Sequence, residues 1–330
     1  MTHQRAYTDD HGAPLELLAE VARQYYERFM TQAEIAQNIG VSRSQVSRYL
    51  KAAQEAGIVQ ITIALPAASD PELEAELRTR FKHLREVSVT PTTASSTAAT
   101  VLSRVAAAGA GILQRLVQPD DTVSVGAGRT LAQLVTAIEP RKQEGVVVVQ
   151  AMGNVGHEGH EIDYNAIAHG VATAFGGRSF QINAPAILSV PYLAEDMERS
   201  HASIGNAVSR ARKADVFVIG LGTIASDTLF VTTGLLTDDD IEAVSAAEPA
   251  GDICGRFYDL KGKPIPTPFD ERIVGIRLDD LKKGRAVLAV ASGAEKATPM
   301  LGALRGGYLT HVATDDLVAR EILDQVARKR

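Results

Sequence analysis

The feature that most constrains the fold is an alternation of short apolar runs with amphipathic helical stretches. The runs VVVVQ (146–150), VFVIGLG (216–222) and AVLAVAS (286–292) are almost continuously apolar. A strand buried on both faces needs such a run, whereas a half-exposed strand alternates apolar and polar residues. Strands that alternate with helices form parallel sheets. The sequence therefore predicts an α/β domain with a Rossmann-like parallel sheet covered on both faces.

Periodicity locates the elements of this domain. The predicted strands are 87–90, 122–125, 146–151, 179–182, 216–221, 273–276, 286–290 and 311–314. The predicted helices between them are 97–116, 130–138, 164–175, 204–213, 238–246 and 297–305.

Length and a cluster of helix-breaking residues divide the chain. The 330 residues fit one small and one large domain. The segment PAASDP, from Pro66 to Pro71, is the breaker cluster, so we expect a DNA-binding domain over 1–65 and an effector and oligomerisation domain over 66–330.

A single cysteine, Cys254, excludes a disulfide framework or a cysteine zinc site, and no cofactor is expected. With no signal-like or membrane-length apolar run, we expect a cytoplasmic protein without a membrane partner.

Residues 31–63 show the pattern of a winged helix-turn-helix. Two short helical patterns meet at Gly40, which suits a tight turn with positive φ. Ala33, Ile35, Ala36 and Ile39 are predicted to face inward on the first helix, and Val46, Tyr49, Leu50 and Ala53 on the second. A preceding helix over 15–29 is predicted to bury Leu18, Val21, Ala22, Tyr25 and Phe29, and residues 58–63 alternate like a wing strand.

The outward face of the second helix predicts DNA binding. Between 42 and 51 it carries Arg43, Arg48 and Lys51 and no acid. Such donors and small hydroxyls contact base edges and phosphates in the major groove. The expected DNA contacts are Gln32, Ser42, Arg43, Ser44, Gln45, Ser47 and Arg48. Because the whole chain has a net charge of −6, nonspecific attraction is weak, and specific binding to double-stranded operator DNA needs two or more copies of the motif.

Glycines lie where a ligand would bind, beyond the carboxyl ends of the strands. The loop GAGRT follows the strand at 122–125 and opens a helix, so Gly126 and Gly128 let backbone amides approach an anion while Arg129 and Thr130 add donors. The loop lacks the pattern of a P-loop or of a dinucleotide fingerprint. A phosphate or sugar ligand and a purely structural turn both remain open.

Four further positions at the strand ends or in nearby turns are candidate effector contacts. Asn154 and Gly222 follow strands, and Lys296 opens a helix, where a cation is unfavourable unless it meets an anion. Asp252 can reach a sugar hydroxyl. For Lys296 the alternative is an ordinary surface lysine, and for Asp252 a backbone acceptor in a turn.

These motifs together resemble the SorC/DeoR-type family of bacterial transcriptional regulators. The resemblance runs from about Leu15 to Ala327, through TQAEIAQNIGVSRSQVSRYLKAAQEAGIV, LEAELRTRF, VGAGRTL, ADVFVIGLG, GDICGRFYDLKGKPI and GAEKATPMLGALRGGYLTHVATDD. It implies a sugar-phosphate isomerase/deaminase-type effector domain, a phosphorylated sugar effector and a homotetramer. It also implies an anion loop at Gly126, Gly128, Arg129 and Thr130, an acidic effector contact at Asp252 and the effector lysine at Lys296.

Three functions compete. The first is a transcription factor, a repressor of carbohydrate genes that is not an enzyme, controlled by a sugar phosphate. The second is a sugar-phosphate isomerase or deaminase with a DNA-binding head, with Asp163, His157, His160 and Asp315 as candidate acids and bases. The third is a regulator of an unphosphorylated sugar or polyol. No metal is expected, because His157 and His160 lie three apart in a glycine-containing loop.

Overall fold

The computed structural model describes residues 14–59, 69–156, 163–223, 236–268 and 270–328. The chain divides into two compact units, Met1–Pro66 and Ala67–Arg330. Of the predicted wing strand, residues 60–63 lie outside the described part of the chain, as do His157 and His160.

The described part of the first unit, residues 14–59, contains three helices, α1 (Leu15–Tyr26), α2 (Gln32–Ile39) and α3 (Arg43–Glu55). Thr31 caps α2 through a reciprocal capping box with Glu34, and Gly40 ends α2 in the left-handed conformation at φ 72°. Leu18, Ile35 and Val46 are fully buried and join the three helices in one small core.

For two residues of this unit, the prediction that they are buried in the core is wrong. Phe29 is 86% exposed because α1 ends at Tyr26 and the chain turns with a positive φ at Phe29. Ala33 is exposed because it lies two residues from Ile35, on nearly the opposite side of α2.

The second unit is built on a seven-stranded parallel sheet. Its helices and strands are α4 (Pro71–Arg80), β1 (Glu86–Thr90), α5 (Ala98–Leu116), β2 (Thr122–Val125), α6 (Arg129–Ala137), β3 (Val147–Gln150), α7 (Ile167–Phe175), β4 (Arg178–Phe180), α8 (Leu193–Ser200), α9 (Ala202–Arg212), β5 (Val216–Ile219), α10 (Asp238–Ala246), β6 (Gly251–Ile253), β7 (Arg256–Tyr258), α11 (Leu278–Leu281), β8 (Ala286–Val290), α12 (Ala297–Arg305), β9 (His311–Asp315) and α13 (Asp316–Ala327). The strand order is β1-β9-β8-β5-β2-β3-β4, and every pair in this sheet is parallel.

Buried clusters cover both faces of the sheet, which confirms the predicted fold class. Val123, Val148 and Leu288 face one cluster with α5, α6 and α7, and Phe217 and Val287 face the other with α4, α12 and α13. The nearly continuous apolar strands are therefore explained by burial on two sides.

The predicted strand over 273–276 is wrong. Ile273 and Gly275 each form a single bridge, and their partners, Ile187 and Met152, lie in different loops. Ile273, Val274 and Ile276 are buried in three different clusters, so the apolar run reflects burial without a continuous ladder.

Candidate functional site

The second unit contains a large cavity at the carboxyl edge of the sheet. Its volume is about 1160 Å³, and its lining comes from the segments that follow β1, β2, β5, β8 and β9 and from the β6–β7 hairpin. The chain continues from β2 to β3 and β4 on one side, and from β5 to β8 and β9 on the other. The direction in which successive strands are added to the sheet therefore reverses between β2 and β5. Open α/β sheets bind ligands at such a switch point.

The loop between β2 and α6 presents backbone amides to this cavity. Helix α6 begins at Arg129, and its N-cap, Gly128, has no side chain to accept from the first-turn amides. Gly128 has φ 143°, a conformation that strongly favours glycine. Gly126, Gly128, Arg129 and Thr130 all line the cavity. An uncapped helix start with an exposed arginine is suited to bind an anion.

Asp252 lies in the β6–β7 hairpin and is 3% exposed. The turn of this hairpin, Cys254 and Gly255, has positive φ at both residues, as in a type I′ turn. Burial raises the pKa of Asp252 to about 6, although the Gly255 amide, which donates to Oδ2 at 2.9 Å, and the charge of Lys296 both oppose the rise. Asp252 is therefore a buried carboxyl group that exchanges a proton near neutral pH.

Gly222 makes room for this carboxyl group. The backbones of Gly222 and Asp252 form an antiparallel bridge, with the Gly222 amide 3.0 Å from the Asp252 carbonyl oxygen. A Cβ atom on Gly222 would lie 1.8 Å from Asp252 Oδ1. Only glycine permits this close approach.

Lys296 brings a second cation to the cavity. It ends a short 3₁₀ turn, Ala294–Lys296, after β8, and its Nζ donates to the Leu221 carbonyl oxygen at 2.9 Å. This contact places the ammonium group beside the loop that follows β5. Glu295 and Asp315 also line the cavity, but Asp315 already accepts from the Gly293 and Val318 amides at 2.7 and 3.0 Å.

Seven of the eight predicted effector contacts lie around this one cavity: Gly126, Gly128, Arg129, Thr130, Gly222, Asp252 and Lys296. Asn154 does not line it. The backbone amide of Asn154 donates to the Ala184 carbonyl oxygen at 2.7 Å, and its backbone carbonyl oxygen accepts from the Ala186 amide at 2.9 Å. Asn154 therefore joins two loops.

Sequence reasoning missed two parts of the lining. Thr92, Thr93 and Ser96 follow β1 and contribute hydroxyl groups to the cavity. The hydroxyl-rich run TTASST directly after a predicted strand was the signal that could have indicated them. Cys254 also lines the cavity, and burial together with the charge of Asp252 raises the pKa of its thiol to about 12. The thiol therefore stays protonated and is a poor nucleophile.

The predicted DNA-reading side chains of the first unit lie on one side of α3. Arg43, Ser44, Ser47 and Arg48 are exposed and Gln45 is half-exposed, whereas Val46, Leu50 and Ala53 are buried beneath them. Ser42 caps the helix by accepting from the Gln45 amide at 3.2 Å, and Arg48 donates to the Gln45 side chain. Gln32 is half-exposed in the first turn of α2.

Comparison with known proteins decides the family. Residues 66–324 match the family described as "Putative sugar-binding domain", and residues 18–60 match a winged helix-turn-helix DNA-binding family. The chain belongs to the SorC/DeoR-type family of sugar-binding transcriptional regulators. The family resemblance drawn from the sequence is thereby confirmed.

Two relatives show how far the similarity to other regulators extends. The sorbitol operon regulator of Klebsiella pneumoniae is 29% identical over 95% of this chain and 99% of its own length. Its full-length crystal structure has a TM-score of 0.69 and covers 94% of this chain and 99% of that one. The deoxyribonucleoside regulator of Bacillus subtilis is 28% identical over 94% of this chain and 98% of its own length.

Of the candidate acids and bases of the enzyme alternative, Asp163 and Asp315 belong to the described part of the chain and do not lie together. Asp163 is exposed and outside the cavity lining, and the carboxylate of Asp315 is occupied by backbone amides. Within the described ranges, no group of three or more His, Cys, Asp and Glu side chains is arranged to hold a metal ion. None of the described helices has both the length and the apolarity needed to span a bilayer.

Proposed function

We propose that this regulator binds operator DNA through α3, and that a small phosphorylated sugar in the cavity sets its operator affinity. One observation carries the proposal: Arg129, Lys296 and the uncapped start of α6 converge on a cavity that also presents the buried Asp252. The cations and amides suit a phosphate group, and the carboxyl group suits sugar hydroxyls. The names of the two relatives, which refer to sorbitol and to deoxyribonucleosides, agree with a sugar-like effector.

The DNA contacts are proposed to be Gln32, Ser42, Arg43, Ser44, Gln45, Ser47 and Arg48. Their support is that they lie at the exposed start of α3 or in the first turn of α2, as in helix-turn-helix proteins that read the major groove.

We further propose a homotetramer with two-fold related recognition helices, which would read half-sites roughly 34–36 Å apart. Native mass measurement of the purified chain tests the assembly, and a monomer at micromolar concentration would contradict it.

The effector assignment is tested with the double variant Arg129→Ala, Lys296→Ala. We expect it to keep operator binding and to lose the response to sugar phosphates, because both cations of the anion site are removed. A matched control, Arg178→Ala with Lys261→Ala, removes two exposed cations outside the cavity lining. An unchanged effector dissociation constant in the first variant would show that the anion site is wrongly assigned.

One observation favours a second candidate, a sugar-phosphate isomerase or deaminase. Asp252 has a pKa raised to about 6 in a cavity, as a general base requires. Turnover of a panel of pentose and hexose phosphates by the pure protein separates the candidates. Binding without turnover supports the regulator, whereas turnover that Asp252→Asn abolishes supports the enzyme.

A further inference from the structure

The cavity is large for the effector class proposed above. Pockets for drug-sized ligands span roughly 300–1,000 Å³. A single phosphorylated pentose or hexose is smaller than such ligands, yet the volume here is about 1160 Å³. The lining also reaches from the end of β2 to the end of β1, four strand spacings away, or about 19 Å. A simple sugar phosphate at the β2 end leaves the β1 end unfilled.

The two ends of the cavity differ in chemistry. The charged lining residues are Arg129 after β2, Glu295 and Lys296 after β8, Asp252 in the β6–β7 hairpin and Asp315, the last residue of β9. The segment 92–102, which follows β1, contributes only hydroxyl and apolar side chains to the described lining. We call this segment together with Leu317 the outer compartment. Its lining residues are Thr92, Thr93, Ser96, Ala98, Ala99, Val101, Leu102 and Leu317.

Residues 92–96 of the outer compartment, which we call the hydroxyl loop, are preorganised by hydrogen bonds. The Thr93 amide donates to Ser96 Oγ at 3.1 Å, and the Thr92 amide donates to Asp316 Oδ1 at 2.9 Å. The Thr93 hydroxyl group also hydrogen-bonds the Ser95 and Ser96 hydroxyl groups at 3.1 and 3.0 Å. A hydroxyl group has one donor and two acceptor positions, so Thr93 and Ser96 each keep one position for a ligand. Leu317, in the first turn of α13, is 50% exposed and offers apolar surface beside them.

Helix capping favours an uncharged group over a second anion in this compartment. Helix α5 also starts here, but its N-cap Thr97 accepts from the Thr100 amide at 3.2 Å. Helix α6 starts at Gly128, which has no side chain to cap it. The anion is therefore better accommodated at α6 than at α5.

Building on the proposed function, we infer that the effector is a phosphorylated glycoside whose uncharged second group occupies the outer compartment. The phosphate lies at the start of α6 with Arg129 and Lys296, and the sugar ring lies near Asp252. The second group, a further sugar ring or an aglycone, contacts Leu102 and Leu317 and receives hydrogen bonds from the hydroxyl loop. A second phosphate in the outer compartment would meet no cation from residues 92–102, so an uncharged group is better accommodated there.

Calorimetric titration of the full chain tests this inference. The probes are inorganic phosphate, glucose 6-phosphate, phenyl glucoside 6-phosphate, a disaccharide monophosphate and glucose 1,6-bisphosphate. We expect the two extended monophosphates to bind at least about tenfold more tightly than glucose 6-phosphate, because they bury Leu317 and Leu102. Equal affinity, or tighter binding of the bisphosphate than of either extended probe, would overturn the inference.

Variants locate the gain in affinity. Leu317→Asp should remove about the tenfold gain of the extended probes and leave glucose 6-phosphate within about twofold. An acid in the first turn of α13 favours the helix, so folding is preserved, and Leu317→Ala provides a milder second variant. The control is Val190→Asp, at a 55% exposed apolar residue outside the cavity lining. Equal losses for short and extended probes in both Leu317 variants would contradict the assignment.

The same titration separates this inference from the proposed function. If glucose 6-phosphate or inorganic phosphate binds and the extension adds nothing, only the outer compartment is wrongly assigned. If none of the phosphates binds to the wild-type chain, the proposed anion site itself is contradicted.

Discussion

At the scale of single residues, Asp252 is a carboxyl group with surroundings very different from those of an ordinary surface group. Burial raises its pKa to about 6 from a usual value of 3.8, while the Gly255 amide and Lys296 act in the opposite direction. Burial therefore destabilises the charged form of this carboxyl group. Functional sites commonly carry perturbed groups of this kind.

Asp252 makes the stability of the second unit depend on pH. Since its folded pKa is raised, its favourable contribution is fully present below about pH 4 and is lost as pH rises through about 6. Asp252→Asn cannot ionise, so between pH 4 and pH 8 the stability of the variant relative to wild type should rise by roughly 3 kcal/mol. Urea denaturation of both proteins from pH 4 to 8 measures this. A stability difference that does not change with pH would contradict the cause given for the shift.

Gly222 provides a second test at this scale. Gly222→Ala places a methyl group against Asp252 Oδ1, so we expect a loss of roughly 1–3 kcal/mol of stability and weaker effector binding. The matched control is Gly220→Ala in the same loop, where the nearest atom, the Ala127 carbonyl oxygen, is 3.7 Å from the added Cβ. Thermal unfolding of both variants measures the loss of stability. Effector titration of Gly222→Ala against wild type measures the loss of affinity, since Gly220 itself lines the cavity. Similar behaviour of the two variants would show that the Gly222–Asp252 contact is unimportant.

At the scale of elements, α3 separates its functions by face. Val46 and Leu50 are buried in the core, so the exposed face is free to carry Gln45, Arg48 and their neighbours. The Gln45–Arg48 hydrogen bond holds these two side chains together on that face. This arrangement predicts that DNA binding can be removed without unfolding the unit.

We expect Gln45→Ala and Arg48→Ala each to weaken operator binding by roughly 1–3 kcal/mol, the usual value of one base contact. Effector affinity should be unchanged. Arg23→Ala, on α1, is the charge-matched control because Arg23 is exposed and lies outside α3. Fluorescence anisotropy with operator and scrambled duplexes measures the effect. If Arg23→Ala weakened operator binding as much as Arg48→Ala, the assignment of α3 would lose its support.

The sequence predicted an element correctly where the element has a distinct hydrophobic pattern or a recognisable helix cap. The long apolar strands and the capped helices were predicted correctly because burial on two faces and caps such as Thr97 leave clear signals. The β6–β7 hairpin was missed because its strands have three residues each and its turn is Cys254-Gly255 instead of the usual Asn-Gly.

The candidate site followed the same logic. Strand ends in a parallel sheet share one edge, so glycines and charges placed after strands gathered as predicted. The same rule failed for Asn154, because its backbone pairs with the loop at Ala184 and Ala186. The hydroxyl loop at 92–96 was overlooked because threonine and serine after a strand are also common in ordinary turns.

At the scale of the whole molecule, the proposed regulation requires the effector site and the DNA-binding site to be coupled. The chain carries a net charge of −6, and its cationic DNA-reading face is confined to α3, so nonspecific attraction to DNA is weak. A modest coupling then suffices for regulation. Coupling free energies of about 1–3 kcal/mol, or roughly 5- to 150-fold in affinity, are usual.

Linkage makes this coupling testable in both directions. If the effector weakens operator binding by some factor, saturating operator must weaken effector binding by the same factor. Titrating effector into the free protein and into the operator complex measures the second factor, which should lie in the range of roughly 5- to 150-fold. Unequal factors would show that the two ligands do not act through one shared equilibrium.

The most direct test of the central claim is the affinity of the full chain for the DNA upstream of its own operon, measured with and without a saturating sugar phosphate. We expect tight binding that changes by roughly 5- to 150-fold with the sugar phosphate in wild type. In the Arg129→Ala, Lys296→Ala variant the binding should stay tight and no longer change. A chain that ignores this DNA, or a wild-type affinity that no sugar phosphate alters, would contradict the account.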